Sequence, residues 1–355
     1  MNSDTGVNLP ALRSHNAALV LDLLRTAGER GASRPELAER TGLTPQAVSK
    51  ITARLRDEGL AADAGRRAST GGKPASVLRL VPGAAHAVGL HLDRDELTAV
   101  LVDLSGVVVA SSVVPLDLGS GAEVVIEVAA GEVAALTSRP LLGVGVAMPG
   151  PLDHAAGVPH RVTGFPEWDG FPLRAALARR LGLPVVLDKD TNAAALGIAL
   201  DGAGGDSFAY LHLGTGLGAG LVLGGTVYRG ARTGAGEFGH QTIQLDGPAC
   251  GCGGRGCLEA LCLAAVARGD HARAARVLGA GAANLVKLLD IDRVLLGGRV
   301  VTGAAEPFVR GVSAVLAELG ERAGEPVVPV ALADGSAHPV AEGAAQLVLA
   351  PLFGR

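Results

Sequence analysis

Residues 236–260 read GEFGHQTIQLDGPACGCGGRGCLEA and carry three of the chain's four cysteines. His240 stands ten positions before Cys250, and Cys252 and Cys257 follow closely. Such crowding does not resemble a disulfide framework. One imidazole and three thiolates form the donor set of a closed, tetrahedral, structural Zn2+ site. Gly251, Gly253, Gly254 and Gly256 would let a short loop wrap one ion. With all positions filled there is no place for a metal-bound water, so metal catalysis is not expected. The alternative is a set of free thiols in a glycine-rich loop. Cys262 fits no position in the pattern and reads as a helix-packing residue.

Outward from this loop the chain alternates between strand and helix patterns. AHAVGLHL and ELTAVLVDLSGVVVASSVV alternate like a strand hairpin and meander. Helical periodicity runs around Ala122–Leu136, and LLGVGVAMPGP reads as a buried strand ending in a turn. FPLRAALARRLGLP is a helix closed by Gly182 and Pro184, VVLDKD a buried strand, and TNAAALGIAL a helix. Strands recur at SFAYLHLG, GLVLGG and VLLGG. This is an α/β pattern with a mixed sheet in each of two lobes.

Pro82-Gly83 marks a boundary with a different front segment. Asn16–Ala27 is a helix with Leu19, Val20, Leu23 and Leu24 on one face. Ser33 and Glu36 form a capping box for a short second helix, and Thr41-Gly42-Leu43 is a tight turn. Thr44 caps a third helix, with Pro45 in its first position. Val48, Ile51 and Leu55 face inward there, which leaves Gln46, Ser49, Lys50 and Thr52 outside. A helix, a glycine turn and a helix with polar, basic exposed residues is a helix-turn-helix arrangement, whose second helix enters the DNA major groove. Gln46, Ser49 and Lys50 are the candidate base or phosphate contacts. The following AADAGRRASTGGKPASVLRLV reads as a β-wing, with Arg66, Arg67 and Lys73 reaching phosphate or a minor groove. The bland alternative is a three-helix packing domain with a charged linker.

Charge agrees with this division. Residues 1–80 hold 12 Lys and Arg against 8 Asp and Glu, whereas the remainder holds 19 against 27. A basic head on an acidic body is compatible with nucleic-acid binding at the front. The composition, 48% hydrophobic and 19% charged, is globular. The N-terminal residues lack a secretory pattern, and no apolar run reaches membrane-spanning length. A cytoplasmic protein without a membrane partner is expected.

The motifs LRSHNAALVLDLLRTAGERGASRPELAERTGLTPQAVSKI, VGVAMPGPLD, DKDTNAAALG, HLGTGLGAGLVLGG, GEFGH, CGCGGRGCLEA and VLLGG together resemble the ROK family of repressors and sugar kinases, in its repressor branch with an N-terminal winged helix. The resemblance implies an actin-like, two-lobed sugar-kinase fold behind a winged helix-turn-helix head. The implied domains are a head over 1–82, a first lobe over 83–190 completed by a C-terminal helix at 338–352, and a second lobe with the zinc loop over 191–337. It implies the same four metal ligands, His240, Cys250, Cys252 and Cys257. It places Glu237, His240 and Glu259 against sugar hydroxyls and matches Asp190 to the family's catalytic base. Lys189 stands where the family usually has an asparagine that helps hold the sugar. Its ammonium would pair with Asp190, or favour an acidic or phosphorylated sugar.

Kinases of this family carry two phosphate-binding turns. The second, Gly214 to Gly220, is intact. The first, Asp-x-Gly-Gly-Thr in the family, reads Asp93-Arg94-Asp95-Glu96 here. Side chains replace both glycines, and carboxylates stand where ATP brings negative charge. Useful kinase activity is therefore not expected, and Asp190 becomes a vestigial base. After Cys257 the chain is about 30 residues shorter than its relatives (family loops vary), which removes part of the sugar lobe or the dimer surface. Trp168, the sole tryptophan, has two readings, a platform that stacks on a sugar or a packing residue. The expectation is a homodimeric or tetrameric repressor, binding operator DNA and responding to a sugar or sugar-phosphate. Two alternatives stay open: a sugar kinase with a DNA-binding head, and a ligand-independent regulator whose body only dimerises.

Overall fold

The computed structural model describes residues 15–67, 75–136, 139–333 and 335–355. Lys73 lies outside the described residues, as do the side chains of Arg66 and Arg67.

The front segment holds helix α1 (His15–Ala27), strand β1 (Ala32–Ser33), helices α2 (Arg34–Thr41) and α3 (Pro45–Asp57), and strands β2 (Ala61–Arg67) and β3 (Ala75–Leu80). The strands form an antiparallel sheet in the order β1-β3-β2. Local chemistry sets the helix limits. Ser33 Oγ accepts from the Glu36 N–H at 3.4 Å, and Glu36 Oε2 accepts from the Ser33 N–H at 2.7 Å, closing the capping box. Gly42 ends α2 in the left-handed conformation at φ 68°, which a residue with a Cβ adopts only under strain. Thr44 Oγ1 accepts from the Ala47 N–H at 3.2 Å and starts α3. Val48 and Leu55 are buried. Thr52 is a correction: it is buried rather than outward, its hydroxyl donating to the Ser49 carbonyl and accepting from Arg34 Nε at 3.1 Å. Four residues after Val48, it falls on the same helical face.

The next sheet contains β4 (His86–Leu92), β5 (Glu96–Asp103), β6 (Val108–Pro115), β7 (Leu141–Met148) and β10 (Val185–Lys189). Helix α4 (Ala122–Leu136), the small hairpin β8 (Leu152–Asp153) and β9 (Val158–Pro159), and helix α5 (Leu173–Leu181) connect them. The strand order is β10-β7-β4-β5-β6. Strands β4 to β6 are antiparallel, whereas β4, β7 and β10 run parallel. Helix α6 (Asp190–Asp201) leaves the end of β10.

The second sheet has the order β13-β12-β11-β14-β15, from β11 (Phe208–Leu213), β12 (Leu217–Leu223), β13 (Thr226–Val227), β14 (Arg293–Gly297) and β15 (Val330–Leu332). Its helices are α7 (Leu258–Val266), α8 (His271–Leu289), α9 (Arg299–Thr302) and α10 (Ala305–Ala323). No helix among the described residues is long and apolar enough to cross a membrane. The chain returns through α11 (Pro339–Leu349) and a final 3-10 turn at Ala350–Phe353.

Helices α6 and α11 pack together between the sheets, α11 against β4, β5, β7 and β10, and α6 against β11 and β12. The approach is backbone to backbone. A Cβ added at Gly89 would lie 1.9 Å from the Ala341 carbonyl oxygen, at Gly145 1.7 Å from that of Ala344, and at Gly343 1.9 Å from that of Ala193. The turn after α11 then enters the head. Leu352 and Phe353 share one apolar cluster with Leu21, Leu24, Leu37, Leu55 and Leu78. Arg355 pairs with Asp22 at 2.9 Å, and the Arg25 guanidinium lies 5.2 Å from the centre of the Phe353 ring. Phe353→Ala is expected to destabilise the protein by about 3–5 kcal/mol in chemical denaturation, the usual range for emptying a buried aromatic site. A loss below about 1 kcal/mol would show that the head does not rest on this turn.

Candidate functional site

A cleft between the sheets brings together Asp93, Arg94, Lys189, Asp190, Thr215, Gly216, Glu237, His240 and Glu259. Asp190 begins α6, and its Oδ1 accepts from the Thr191 N–H at 2.6 Å. Burial raises the pKa of this carboxyl to about 7 against the lowering pull of that N–H. The charges of Asp93 and Glu237 raise it further, and Lys189 lowers it. Such a group exchanges protons near neutrality, as a general base must.

Lys189 does not hydrogen-bond Asp190, which corrects the pairing drawn from sequence. Its Nζ donates to Glu237 Oε1 at 3.0 Å and to the Ala235 carbonyl at 2.5 Å, and the side chain is 2% exposed. The lysine precedes the helix and enters the loop between Thr233 and Glu237, whereas Asp190 starts the helix itself. The neighbouring Asp188 is also buried, accepting from Asn192 at 2.8 Å and from Arg229 at 2.6 Å. Strand β10 thus meets the 229–237 segment through two ion pairs. Thr233, in that segment, is buried at φ 58°, a strained conformation for a β-branched residue. Its Oγ1 accepts from the His154 N–H at 3.2 Å.

His240, Cys250, Cys252 and Cys257 offer ligand atoms that all lie within 4.8 Å of one another, and all four cysteines of the chain are free thiols. Cys252 Sγ is 3.8 Å from Cys257 Sγ, and Cys250 Sγ is 3.7 Å from His240 Nδ1. A tetrahedron with Zn–S near 2.3 Å and Zn–N near 2.0–2.1 Å has edges of about 3.8 Å and about 3.6 Å. The donors therefore fit a metal ion of this kind. Helix α7 starts directly after Cys257 and carries Glu259, whose Oε2 accepts from the Leu217 N–H at 2.9 Å. Cys262 is buried in the same helix, with Sγ 3.6 Å from the Ala274 carbonyl.

The turn between β4 and β5 bridges to the second lobe. The Thr215 hydroxyl donates to Asp93 Oδ1 at 3.0 Å, and Arg299 pairs with Asp95 at 3.0 Å. Burial opposes ionisation of Asp93, but His91, the Arg94 N–H, the Thr215 hydroxyl and Arg299 outweigh it and hold the carboxyl below its ordinary value. Trp168 is fully buried, its indole N–H donating to the Leu118 carbonyl at 3.0 Å, so it packs and offers no platform to the cleft. In the head, Gln46, Ser49 and Lys50 are exposed on α3. The roles of Arg94, Asp188, Arg229 and Thr233 are not legible in the sequence, since only the return of distant segments gives them partners.

A model of the ROK family matches residues 87–267 of the 355, just over half the chain. The chain belongs to the ROK family. A winged helix-turn-helix DNA-binding model matches residues 20–61. Among ROK relatives, the putative xylose repressor of Caldicellulosiruptor sp. (strain Rt8B.4) is 31% identical over 260 residues, covering 71% of this chain and 64% of that protein. The match thus spans just under two thirds of the relative's length. The glucokinase of Thermotoga maritima is 42% identical over 150 residues, 41% of this chain and 45% of that enzyme. A ROK family transcriptional regulator, described as a homologue of the E. coli MLC protein, shares the fold over 97% of both chains, with a TM-score of 0.77 and 23% identity.

The Lys189–Glu237 pair yields a stability test. Removing one member of a buried pair leaves an uncompensated charge, whereas removing both is nearly neutral. Glu237 is 34% exposed, so water softens the loss. Glu237→Gln is expected to cost about 1–3 kcal/mol, and adding Lys189→Met should restore most of it. Additive losses in the double variant would show that the two side chains do not depend on each other.

Proposed function

We propose that this protein is a sugar-responsive transcriptional repressor that binds operator DNA through its winged head. The observation that carries the reading is the continuous path from the cleft to the head. Asp190 opens α6, α6 lies against α11 at Gly343, and α11 runs into the turn whose Phe353 and Arg355 hold α1. A sugar that binds one lobe arrangement more tightly would favour that arrangement and re-aim the heads. In this reading the head is 1–82, the first lobe 83–190 with 338–352, and the second lobe 191–337. Gln46, Ser49, Lys50, Arg66, Arg67 and Lys73 are the head's DNA contacts. Asp190, Glu237, His240 and Glu259 take sugar hydroxyls, with Lys189 as the internal counter-ion of Glu237. Two heads on a homodimer, or on the dimers of a tetramer, match an inverted repeat.

His240, Cys250, Cys252 and Cys257 would hold a structural Zn2+, which supplies a rigid crosslink between the Glu237–His240 turn and the start of α7. The ion thereby aligns Glu237 with Glu259. Purified protein should carry about one zinc per chain by elemental analysis. Stripping it should lower the melting temperature by on the order of 5–10 °C. Metal-free protein with an unchanged melting point would remove zinc from this account.

Kinase activity is not part of the proposal. Asp93 already occupies the Thr215 hydroxyl, Glu259 occupies the Leu217 N–H, and side chains fill the turn where backbone would meet phosphate. A second reading, a kinase with a DNA-binding head, draws support from the proton affinity of Asp190 and the glucokinase relative. A coupled ATP-turnover assay with a hexose panel separates the two.

The main test is a binding titration of the full chain on the DNA upstream of its own gene, with sugars added. Saturable binding that weakens as salt rises, and that one sugar reverses, is the expected result. Indifference to duplex DNA at low salt would end the proposal.

A further inference from the structure

Among the described residues, the lysine and arginines at and beside the cleft have carboxylate partners, with one exception. Lys189 is engaged by Glu237 and Ala235, Arg299 by Asp95, and Arg229 by Asp188. Arg94 stands in the turn that replaces the first phosphate-binding loop, and it lines the cleft beside Asp190 and Glu259. Among the described residues its guanidinium makes no ion pair and no side-chain hydrogen bond. It rests on an aromatic face instead, 5.4 Å from the centre of the Phe165 ring. One terminal nitrogen lies 3.3 Å from where a Cβ of Gly164 would stand, and the other 4.0 Å from where a Cβ of Gly216 would stand. The guanidinium therefore spans from the 164–165 loop towards the Gly214–Gly216 turn. The carboxylate that shares this face of Gly216, Glu259, is turned to the Leu217 N–H.

An aromatic ring fixes the plane of a guanidinium without using its N–H groups. That plane then offers a fork of parallel donors, which a carboxylate or phosphate accepts in bidentate fashion. A neutral sugar hydroxyl offers less to such a fork and leaves its charge unanswered.

We propose that Arg94 is a specificity-determining residue that tunes the cleft to a sugar bearing its own anion, a phosphate ester or a carboxylate. The anion sits on the Arg94 fork at the Gly216 end, and the ring hydroxyls meet Asp190, Glu237, His240 and Glu259. The assignment rests on the sugar-binding reading above, and it moves the preference for an acidic ligand from Lys189, which is internally paired, to Arg94.

The test is calorimetry on the full-length protein with three arms: neutral aldoses, the corresponding sugar phosphates, and the corresponding uronic acids. Arg94→Ala and Arg94→Lys are measured alongside, with melting temperature and metal content as checks on folding. Wild type should bind one anionic class about 10- to 100-fold more tightly than its neutral parent, as a charged hydrogen-bonding pair provides. The arm that gains names phosphate or carboxylate. Arg94→Ala should bring the anionic arm down to the level of the neutral one, and Arg94→Lys should retain part of the preference, since a point charge replaces the fork. Equal binding of neutral and anionic sugars by wild type, or a preference that survives in Arg94→Ala, overturns the role of Arg94 and leaves the sugar cleft standing. No binding in any arm overturns the cleft reading and this inference with it.

Discussion

The structure depends on glycine at three backbone contacts of α11, Gly89 and Gly145 in the sheet beneath it and Gly343 in the helix itself. Carbonyl oxygens of Ala341 and Ala344 press into the sheet at Gly89 and Gly145, and Gly343 lets α6 approach on the other side. At these positions a methyl group would overlap backbone, which cannot rotate away as a side chain can. A helix seated in this way does not slide freely relative to either neighbour, because packed interiors are dense and shift between discrete arrangements. The same helix runs on into the turn that holds the head. One element is therefore in register with the cleft floor, with the first sheet and with the winged head.

Within the cleft, electrostatics does comparable work at lower density. Four carboxylates line it, Asp93, Asp190, Glu237 and Glu259. Unpaired, they would repel each other and raise each other's proton affinity, as Asp93 and Glu237 do at Asp190 on top of the larger effect of its burial. Lys189 relieves Glu237, hydrogen bonds from Thr215 and the Arg94 backbone hold Asp93 ionised, and the Leu217 N–H engages Glu259. The relief comes from segments far apart in sequence, so the charges themselves tie the two lobes together.

How much of this was legible beforehand follows from the range of each interaction. The capping box, the Gly42 turn, the Thr44 cap and the limits of α4 rest on residues within four positions of each other, and the sequence pattern located them. The clustering of His240, Cys250, Cys252 and Cys257 was legible for the same reason, since one loop holds them all. The ROK architecture was readable from motifs, because several short stretches had to coincide. Thr52 is polar, yet its place on the Val48 face buries it, and its hydroxyl finds partners in Ser49 and the distant Arg34. Trp168 stood among glycines and prolines near the cleft, and only the Leu118 carbonyl decides that its indole points inward. The partner of Lys189 was chosen by adjacency in sequence, whereas the true partner is brought in by the fold from 48 positions away. Arg94 had no visible role at all, for its neighbours Phe165 and Gly216 come from two other segments.

The turn between β4 and β5 joins the lobes through side chains. It presents Asp93 to Thr215 and Asp95 to Arg299, so protein groups clasp the two lobes there. The closure is weak by construction. Arg299 and Asp95 are 48% and 59% exposed, where an ion pair contributes about 0–1 kcal/mol, and the hydrogen bond to Thr215 adds about 1 kcal/mol. A clasp of this size would by itself set an equilibrium between open and closed lobe arrangements only a little to one side. Moving such an equilibrium from mostly open to mostly closed takes about 5 kcal/mol of differential affinity, which a small ligand making several charged hydrogen bonds can supply. A strong clasp, or a cleft sealed by apolar packing, would have fixed the lobes and left a ligand nothing to shift.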